Sequence, residues 1–133
     1  MRRSITARCI VEGNATGEVL VSSQPIAFLR GVDPERGIVC DPKHELYGVE
    51  FRGKILVFPN SVGSSVGAYV IYRLKRNHKS PAAIINQNTD IITASGCAIA
   101  GIPLYDAPKA SLAELRSGMQ VLINSKRSEV LIL

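Results

Sequence analysis

The stretch Lys54-Ile-Leu-Val-Phe-Pro-Asn-Ser-Val-Gly-Ser-Ser-Val-Gly-Ala-Tyr-Val-Ile-Tyr-Arg-Leu74 decides the fold class. Its first part, residues 55–58, is a short apolar run of the length a buried strand needs. Residues 59–65 are small residues and turn formers. From residue 66 to 74 apolar residues recur at helical spacing, with Val66, Val70 and Leu74 in line and Tyr69 beside them. A strand therefore feeds a tight loop, and the loop opens a helix. A helix start leaves backbone N–H groups unpaired and carries the positive end of the helix dipole. Ser64 and Ser65 stand where an anion or an activated hydroxyl is favoured.

The chain around this unit has 133 residues, which predicts one domain spanning residues 1–133. Hydrophobic residues make up 46% and aromatics only 5%, so the expected core is large and aliphatic. No apolar run approaches membrane-spanning length, and Met1-Arg-Arg3 leads into a polar-alternating strand rather than a signal-peptide core, so a cytoplasmic protein with no membrane partner is expected. Cys9, Cys40 and Cys97 are isolated and odd in number, which argues against a disulfide framework and against a metal bound by this chain alone. The net charge of +5 permits acidic metabolites, an acidic protein or nucleic acid. With no basic stripe interleaved with aromatics, no nucleic-acid partner is expected, and an RNA-associated domain is the weakest reading.

Alternation over residues 4–11 predicts a first strand, residues 18–22 a second and 25–29 a third. Residues 30–37 are dense in turn formers, Asp33-Pro-Glu-Arg-Gly37 above all. A short apolar piece follows at 38–40, then a polar loop at 41–48 that contains His44. After the central unit, residues 82–85 read as a buried strand. Residues 90–94 read as one helical turn, capped by Asn88, Thr89 or Asp90 and stopped near Gly96. Ser111-Leu-Ala-Glu114 is a capping box, which predicts a helix over 111–116. Residues 120–124 and 129–133 predict a closing hairpin. The whole reads as a compact mixed α/β domain with a barrel-like or two-layer sheet and a few helices.

Gly63-Ser-Ser-Val-Gly67 fits the G-x-S-x-G pattern of a nucleophile elbow with Ser65 as nucleophile. That chemistry needs an acid and then a histidine further along the chain. The only later histidine is His78, at the end of the same helix, and no Asp or Glu lies between. A phosphate-binding P-loop fails for want of Gly-Lys-Ser/Thr. The basic cluster from Arg73 to Lys79 complements the helix dipole and needs no ligand. Asp33 belongs first to a turn, and His44 to a loop beside Asp41 and Glu45. The chain thus holds pieces of a site: it binds an anion without chemistry, or it supplies part of a site to a partner.

Several spaced motifs, in order, resemble the swivel-domain small subunits of the aconitase X family, in particular its archaeal phosphomevalonate dehydratase branch. They are Gly13-Asn-Ala-Thr-Gly-Glu-Val-Leu20, Pro25-Ile-Ala-Phe-Leu-Arg-Gly-Val-Asp-Pro-Glu-Arg-Gly37, the His44 to Gly48 loop, Gly53-Lys-Ile-Leu-Val-Phe-Pro59, Gly63-Ser-Ser-Val-Gly67, Pro81-Ala-Ala-Ile84 and Gly101-Ile-Pro103. The resemblance implies a swivelling β/β/α domain with a barrel-like sheet. It implies a large catalytic subunit as partner in a heterodimer, with an iron–sulfur cluster held by that subunit and none bound by this chain. It implies a hydro-lyase that is inactive without its large subunit and takes a small phosphorylated hydroxy acid. In the archaeal branch (R)-5-phosphomevalonate becomes trans-anhydromevalonate 5-phosphate, on a mevalonate route to isoprenoids. Another hydroxy acid is the alternative.

The resemblance makes Ser64 the proton acceptor, with Gly63, Ser65, Gly67, Arg30, Asp33 and His44 binding substrate or supporting the loop. The N–H groups of Ser65, Val66 and Gly67 are expected to steady the serine alkoxide. Many family members read Gly-Arg-Gly-Ser where this chain reads Ser61-Val-Gly-Ser64. Val62 replaces a cation suited to a carboxylate or phosphate, and Arg30 or a partner cation is expected to stand in for it.

Overall fold

The computed structural model describes residues 3–133; Met1 and Arg2, the first part of the leader reading, lie outside them. The elements in order are β1 (Arg3–Thr6), β2 (Arg8–Val11), β3 (Ala15–Val21), α1 (Phe28–Gly31), β4 (Val32–Asp33), β5 (Ile38–Val39), β6 (Ile55–Phe58), α2 (Gly67–Arg76), β7 (Ala83–Asn86), α3 (Ile91–Ala100), β8 (Leu104–Asp106), α4 (Lys109–Leu112), β9 (Gln120–Asn124) and β10 (Glu129–Ile132). Among the described residues the class is mixed α/β, with one large mixed sheet and four helices.

Eight strands form that sheet in the order β1-β10-β9-β3-β6-β7-β8-β2. Strands β3, β6, β7 and β8 run parallel. All four residues of β6 and of β7 are buried, which is why both read as continuous apolar runs rather than alternating ones. The hairpin β9–β10 adds antiparallel strands on one side, and β3 divides its length between two neighbours: Ala15–Glu18 pairs with β9 and Val19–Val21 with β6.

The single strand expected over residues 4–11 is two strands at opposite edges of the sheet. β1 pairs with β10 and β2 pairs with β8. The switch occurs at buried Ala7, whose amide donates to the Ser128 carbonyl at 3.2 Å. Two consecutive strands can hold both edges only if those edges have curled close together, so the sheet is barrel-like, as expected.

The sheet has a core on each face. Leu56, Phe58, Ile84 and Leu104 point to α2 and α3, where they meet Val70, Ile71, Leu74 and Cys97. Ile55, Val57, Ala83, Ile85 and Tyr105 point the other way, towards Val121, Ile123, Val130 and Leu115. Alternation of successive strand residues between two buried faces accounts for the pattern.

The second strand starts at Ala15 rather than at residue 18, and three further boundaries differ from the sequence reading. Residues 25–29 make no strand beyond a parallel bridge between Ile26 and Ser61; the chain then turns at α1. α3 does not stop near Gly96 but runs to Gly101, the left-handed C-cap at φ 74°. Gly96 is present for packing: a Cβ there would lie 2.8 Å from Ile71 Cβ and 3.0 Å from the Ala68 carbonyl oxygen, so it is where α2 and α3 cross. α4 begins earlier than expected, with Pro108 at its N-cap, and no side chain caps it; the Ser111–Glu114 box does not form.

Candidate active site

Ser64 sits in the loop that leaves β6 and enters α2. The loop is fastened at both ends. At its entry the Pro59 carbonyl accepts the amides of Gln87 and Asn88, each at 3.1 Å, and buried Asn86 donates to the Phe58 carbonyl at 3.1 Å. The Ile26 amide donates to the Asn60 carbonyl at 3.2 Å, and the Val62 amide to the Ile26 carbonyl at 3.0 Å. Buried Ser61 gives its backbone N–H to Asp90 Oδ2 at 2.6 Å.

The exit is fixed by Gly67. It is the buried first residue of α2, and a Cβ there would meet Ile92 Cγ2 at 3.2 Å, Phe28 Cβ at 3.4 Å and the Leu29 amide nitrogen at 3.5 Å. The glycine lets the helix start press against both α1 and α3. Between these anchors lie Gly63, at φ 90°, and then exposed Ser64, Ser65 and Val66.

The first turn after Ser64 is tight. The Gly67 amide donates to the Ser64 carbonyl at 2.9 Å, Ala68 to Ser65 at 3.1 Å and Tyr69 to Val66 at 2.9 Å. These bonds each close back three residues, and of the three N–H groups expected to face the hydroxyl they occupy that of Gly67. The Gly67 N–H is therefore turned to a carbonyl, and the Val66 N–H reaches Ser64 Oγ at 3.2 Å. Val66 and Tyr69, expected on the buried stripe, are 53% and 61% exposed; the buried face is Gly67, Val70, Ile71 and Leu74. With Val62 at 43%, they are exposed apolar side chains on the loop and first turn that carry Ser64.

Arg30 belongs to the turn whose earlier residues flank this loop. Leu29 (φ −72°, ψ 123°) and Arg30 (φ 73°, ψ −23°) are the central pair of a type II turn, with arginine where glycine is usual. Ala27 and Leu29 of the same turn pack near Gly63 and Gly67. The Arg30 carbonyl accepts from Cys40 Sγ at 3.3 Å, and its side chain is exposed.

The other expected residues are structurally committed. Asp33 Oδ1 accepts the amides of Glu35 and Arg36 at 2.9 and 3.2 Å, closing its own turn. His44 Nδ1 accepts the Leu46 amide at 3.0 Å, so Nε2 carries the proton and donates to the Pro25 carbonyl at 3.1 Å. His44 thus ties the 41–48 loop to the segment entering α1. Next to it, Glu45 Oε1 accepts from Ser22 Oγ and the Ser23 amide, both at 2.6 Å. The Ser22 hydroxyl, more than any other group, holds the Glu45 carboxyl below its ordinary range.

His78 is spent on the end of α2. At φ 57° it occupies the left-handed position of a Schellman cap, donating to Lys75 O at 3.1 Å while Lys79 donates to Leu74 O at 2.9 Å. It serves Ser65 as no catalytic partner.

Among the described residues no group of three or more His, Cys, Asp or Glu side chains comes together to hold a metal. Burial first, and then the negative charge of Asp90, pushes the Cys97 thiol up to about 12. A buried, protonated thiol is no thiolate ligand, so Cys97 as it stands does not fit an iron–sulfur cluster.

Residues 4–132 match the family model for the aconitase X swivel domain. The chain belongs to that family. The aconitase X swivel domain is matched by solved structures too: this chain superposes on crystalline Thermococcus kodakaraensis aconitase X, in its holo form, with a TM-score of 0.93, 46% identity and 98% of each chain covered. The phosphomevalonate dehydratase small subunit of Thermococcus kodakarensis is 47% identical over 97% of this chain and 96% of its own. That of Methanosarcina mazei is 48% identical over 95% and 88%. The aconitase-like dehydratase family points to iron–sulfur chemistry in the enzyme.

Three residues at the site have a place that the sequence did not predict. Asp90 was readable as a helix cap, but its bond to Ser61 spans 29 positions and leaves no local signal. The same holds for the buried contact between the Ser61 and Thr93 hydroxyls.

Proposed function

We propose that this chain is the small subunit of a heterodimeric hydro-lyase, acting in the cytoplasm, that dehydrates (R)-5-phosphomevalonate to trans-anhydromevalonate 5-phosphate in the mevalonate pathway. The observation that carries this reading is an exposed serine, fixed between two anchors at a helix start, on a chain similar from end to end to phosphomevalonate dehydratase small subunits. No α-helix of the described residues is long and apolar enough to cross a membrane.

Ser64 is the proton acceptor. Its alkoxide takes the proton from the carbon next to the substrate carboxylate, the electron pair becomes the double bond, and the hydroxyl leaves as water with a second proton taken from solvent; Ser64 then returns the first proton to solvent. An alkoxide is too unstable to form unless donors are already in place. The Val66 N–H and the nearby start of α2 supply the first part of that stabilisation. The rest comes from the large subunit, which closes over the exposed rim of Val62, Val66 and Tyr69 and holds the iron–sulfur cluster. Gly63 keeps the backbone open to substrate, Gly67 supports the loop by seating the helix start against α1 and α3, Ser65 flanks the base, and Arg30 supplies the cation that Val62 lacks. Asp33 and His44 hold the neighbouring loops in shape. The chain acts as one swivel-type unit over residues 1–133.

The test is co-purification with the large subunit and a dehydration assay of wild type and Ser64→Ala. The alanine variant is expected to assemble normally and lose at least about 100-fold in turnover, within the range of acid–base catalysis. Near-normal turnover would remove Ser64 from the chemistry.

A further inference from the structure

One carboxylate grips the Ser64 loop from behind. Asp90 caps α3 with Oδ1, which accepts the Thr93 amide at 2.9 Å. A helix cap asks no more of it than that. Its other oxygen reaches across the molecule to the loop, taking the Ser61 N–H at 2.6 Å, and it also accepts the Thr93 hydroxyl at 3.0 Å. The Thr93 and Ser61 hydroxyls are in turn hydrogen-bonded to each other, and both residues are buried, with Thr93 fully so.

A carboxylate only accepts, and this fixes the direction of the chain of bonds. Ser61 O–H donates to Thr93, and Thr93 O–H donates to Asp90. Every proton then has one acceptor, in a region where an unpaired polar group is costly. Only Val62 and Gly63 separate Ser61 from Ser64, and Gly63 imposes little conformation of its own.

We infer that Asp90 is a positioning residue for the Ser64 hydroxyl, acting through Ser61 and Thr93. The inference rests on the reading of Ser64 as the base. Asp90 thereby joins the start of α3 to the start of α2: the carboxylate that caps the start of one helix sets the place of the reactive group at the head of the other.

The experiment uses the assembled heterodimer and 5-phosphomevalonate, with kcat and KM measured separately. Asp90→Asn retains one carbonyl oxygen to cap α3 but presents an NH2 group where the Ser61 N–H needs an acceptor. Its kcat is expected to fall about 10- to 100-fold, as displacement of a reacting group by roughly 1 Å does, with KM within about twofold of wild type. Thr93→Val removes the central hydroxyl at nearly constant shape and is expected to lower kcat in the same sense; Thr93→Ser restores the hydroxyl and is expected to recover it. Combined with Ser64→Ala, Asp90→Asn is expected to add no further loss, because both act through one hydroxyl. A merely structural role would lower the double mutant again and would move KM and assembly with kcat.

Wild-type kcat in Asp90→Asn, full additivity with Ser64→Ala, or Thr93→Ser as impaired as Thr93→Val overturns the inference. If Asp90→Asn fails to assemble, the two Thr93 variants decide. Full turnover in Ser64→Ala overturns the base reading and this inference with it. A dead Ser64→Ala beside a normal Asp90→Asn overturns this inference alone.

Discussion

Gly96 offers the sharpest measure of how α2 is held. A methyl group at this position lies 2.8 Å from both Cβ and Cδ1 of Ile71 and 3.0 Å from the Ala68 carbonyl oxygen. Cδ1 can swing away, but the Cβ and the carbonyl oxygen are parts of the α2 framework and move only with the helix. Relief therefore requires the two helices to separate by several tenths of an ångström along a buried contact. Overpacking of this kind costs roughly 1–3 kcal/mol, while replacing a mid-helix glycine by alanine returns up to about 1 kcal/mol. The net for Gly96→Ala is a loss of about 1 kcal/mol, or a fall in Tm of roughly 4 °C for a chain of this size. Gly96→Val adds more bulk at the same crossing and gives a larger fall. Gly101→Ala is the control: its Cβ meets nothing within 4 Å, and its cost comes from the left-handed backbone alone. Thermal unfolding of the full chain followed by circular dichroism measures all three. Gly96→Ala melting at or above wild type, while Gly101→Ala is destabilised, would refute the steric argument.

Two further outcomes follow from the acids and thiols. Ser22 and Ser23 hold the Glu45 carboxyl below its ordinary value, and a depressed carboxyl stabilises the fold above its unfolded pKa and ceases to do so as pH falls through its folded one. In an NMR titration the Ser23 amide should report an acidic midpoint below that of a free glutamate, absent in Glu45→Gln; an unshifted midpoint removes the proposed bond. The Cys97 thiol, raised to about 12 by burial, should resist alkylation at pH 8 until the chain is unfolded, whereas Cys9 and Cys40, both partly exposed, should react in the native state. Mass spectrometry of the labelled peptides reads this directly, and native labelling of Cys97 would contradict it.

The strand–loop–helix unit was legible because its signals are local: a short apolar run, a glycine-serine loop and helical spacing all lie within one stretch. The two-sided burial of β6 and β7 followed from their uninterrupted apolar runs. What the sequence misplaced depends on long-range contact. Gly96 resembles a helix stop until Ile71 is seen beside it. Val66 and Tyr69 lie close enough to the apolar stripe to join it by spacing, and only the positions of α1 and α3 decide which side of α2 is covered. The Ser111–Glu114 box had the right letters but a competing start at Pro108, whose φ of −59° is already suited to a helix. At the site, the position of Ser64 was readable, but the commitment of the Gly67 N–H to a carbonyl required the geometry of the turn.

The switch at Ala7 has a consequence in time. Arg3 pairs with Ile132 and Thr6 with Glu129, so the first strand finds its neighbour only after almost the whole chain has left the ribosome. Contacts so distant in sequence are slow to form because a long loop must close before they contribute. The parallel strands and their two helices can gather first, leaving the opening strand waiting for its seam. A nascent chain in that interval presents an unpaired edge to its neighbours, and prompt completion of the last strand protects it from adhesion between half-made copies.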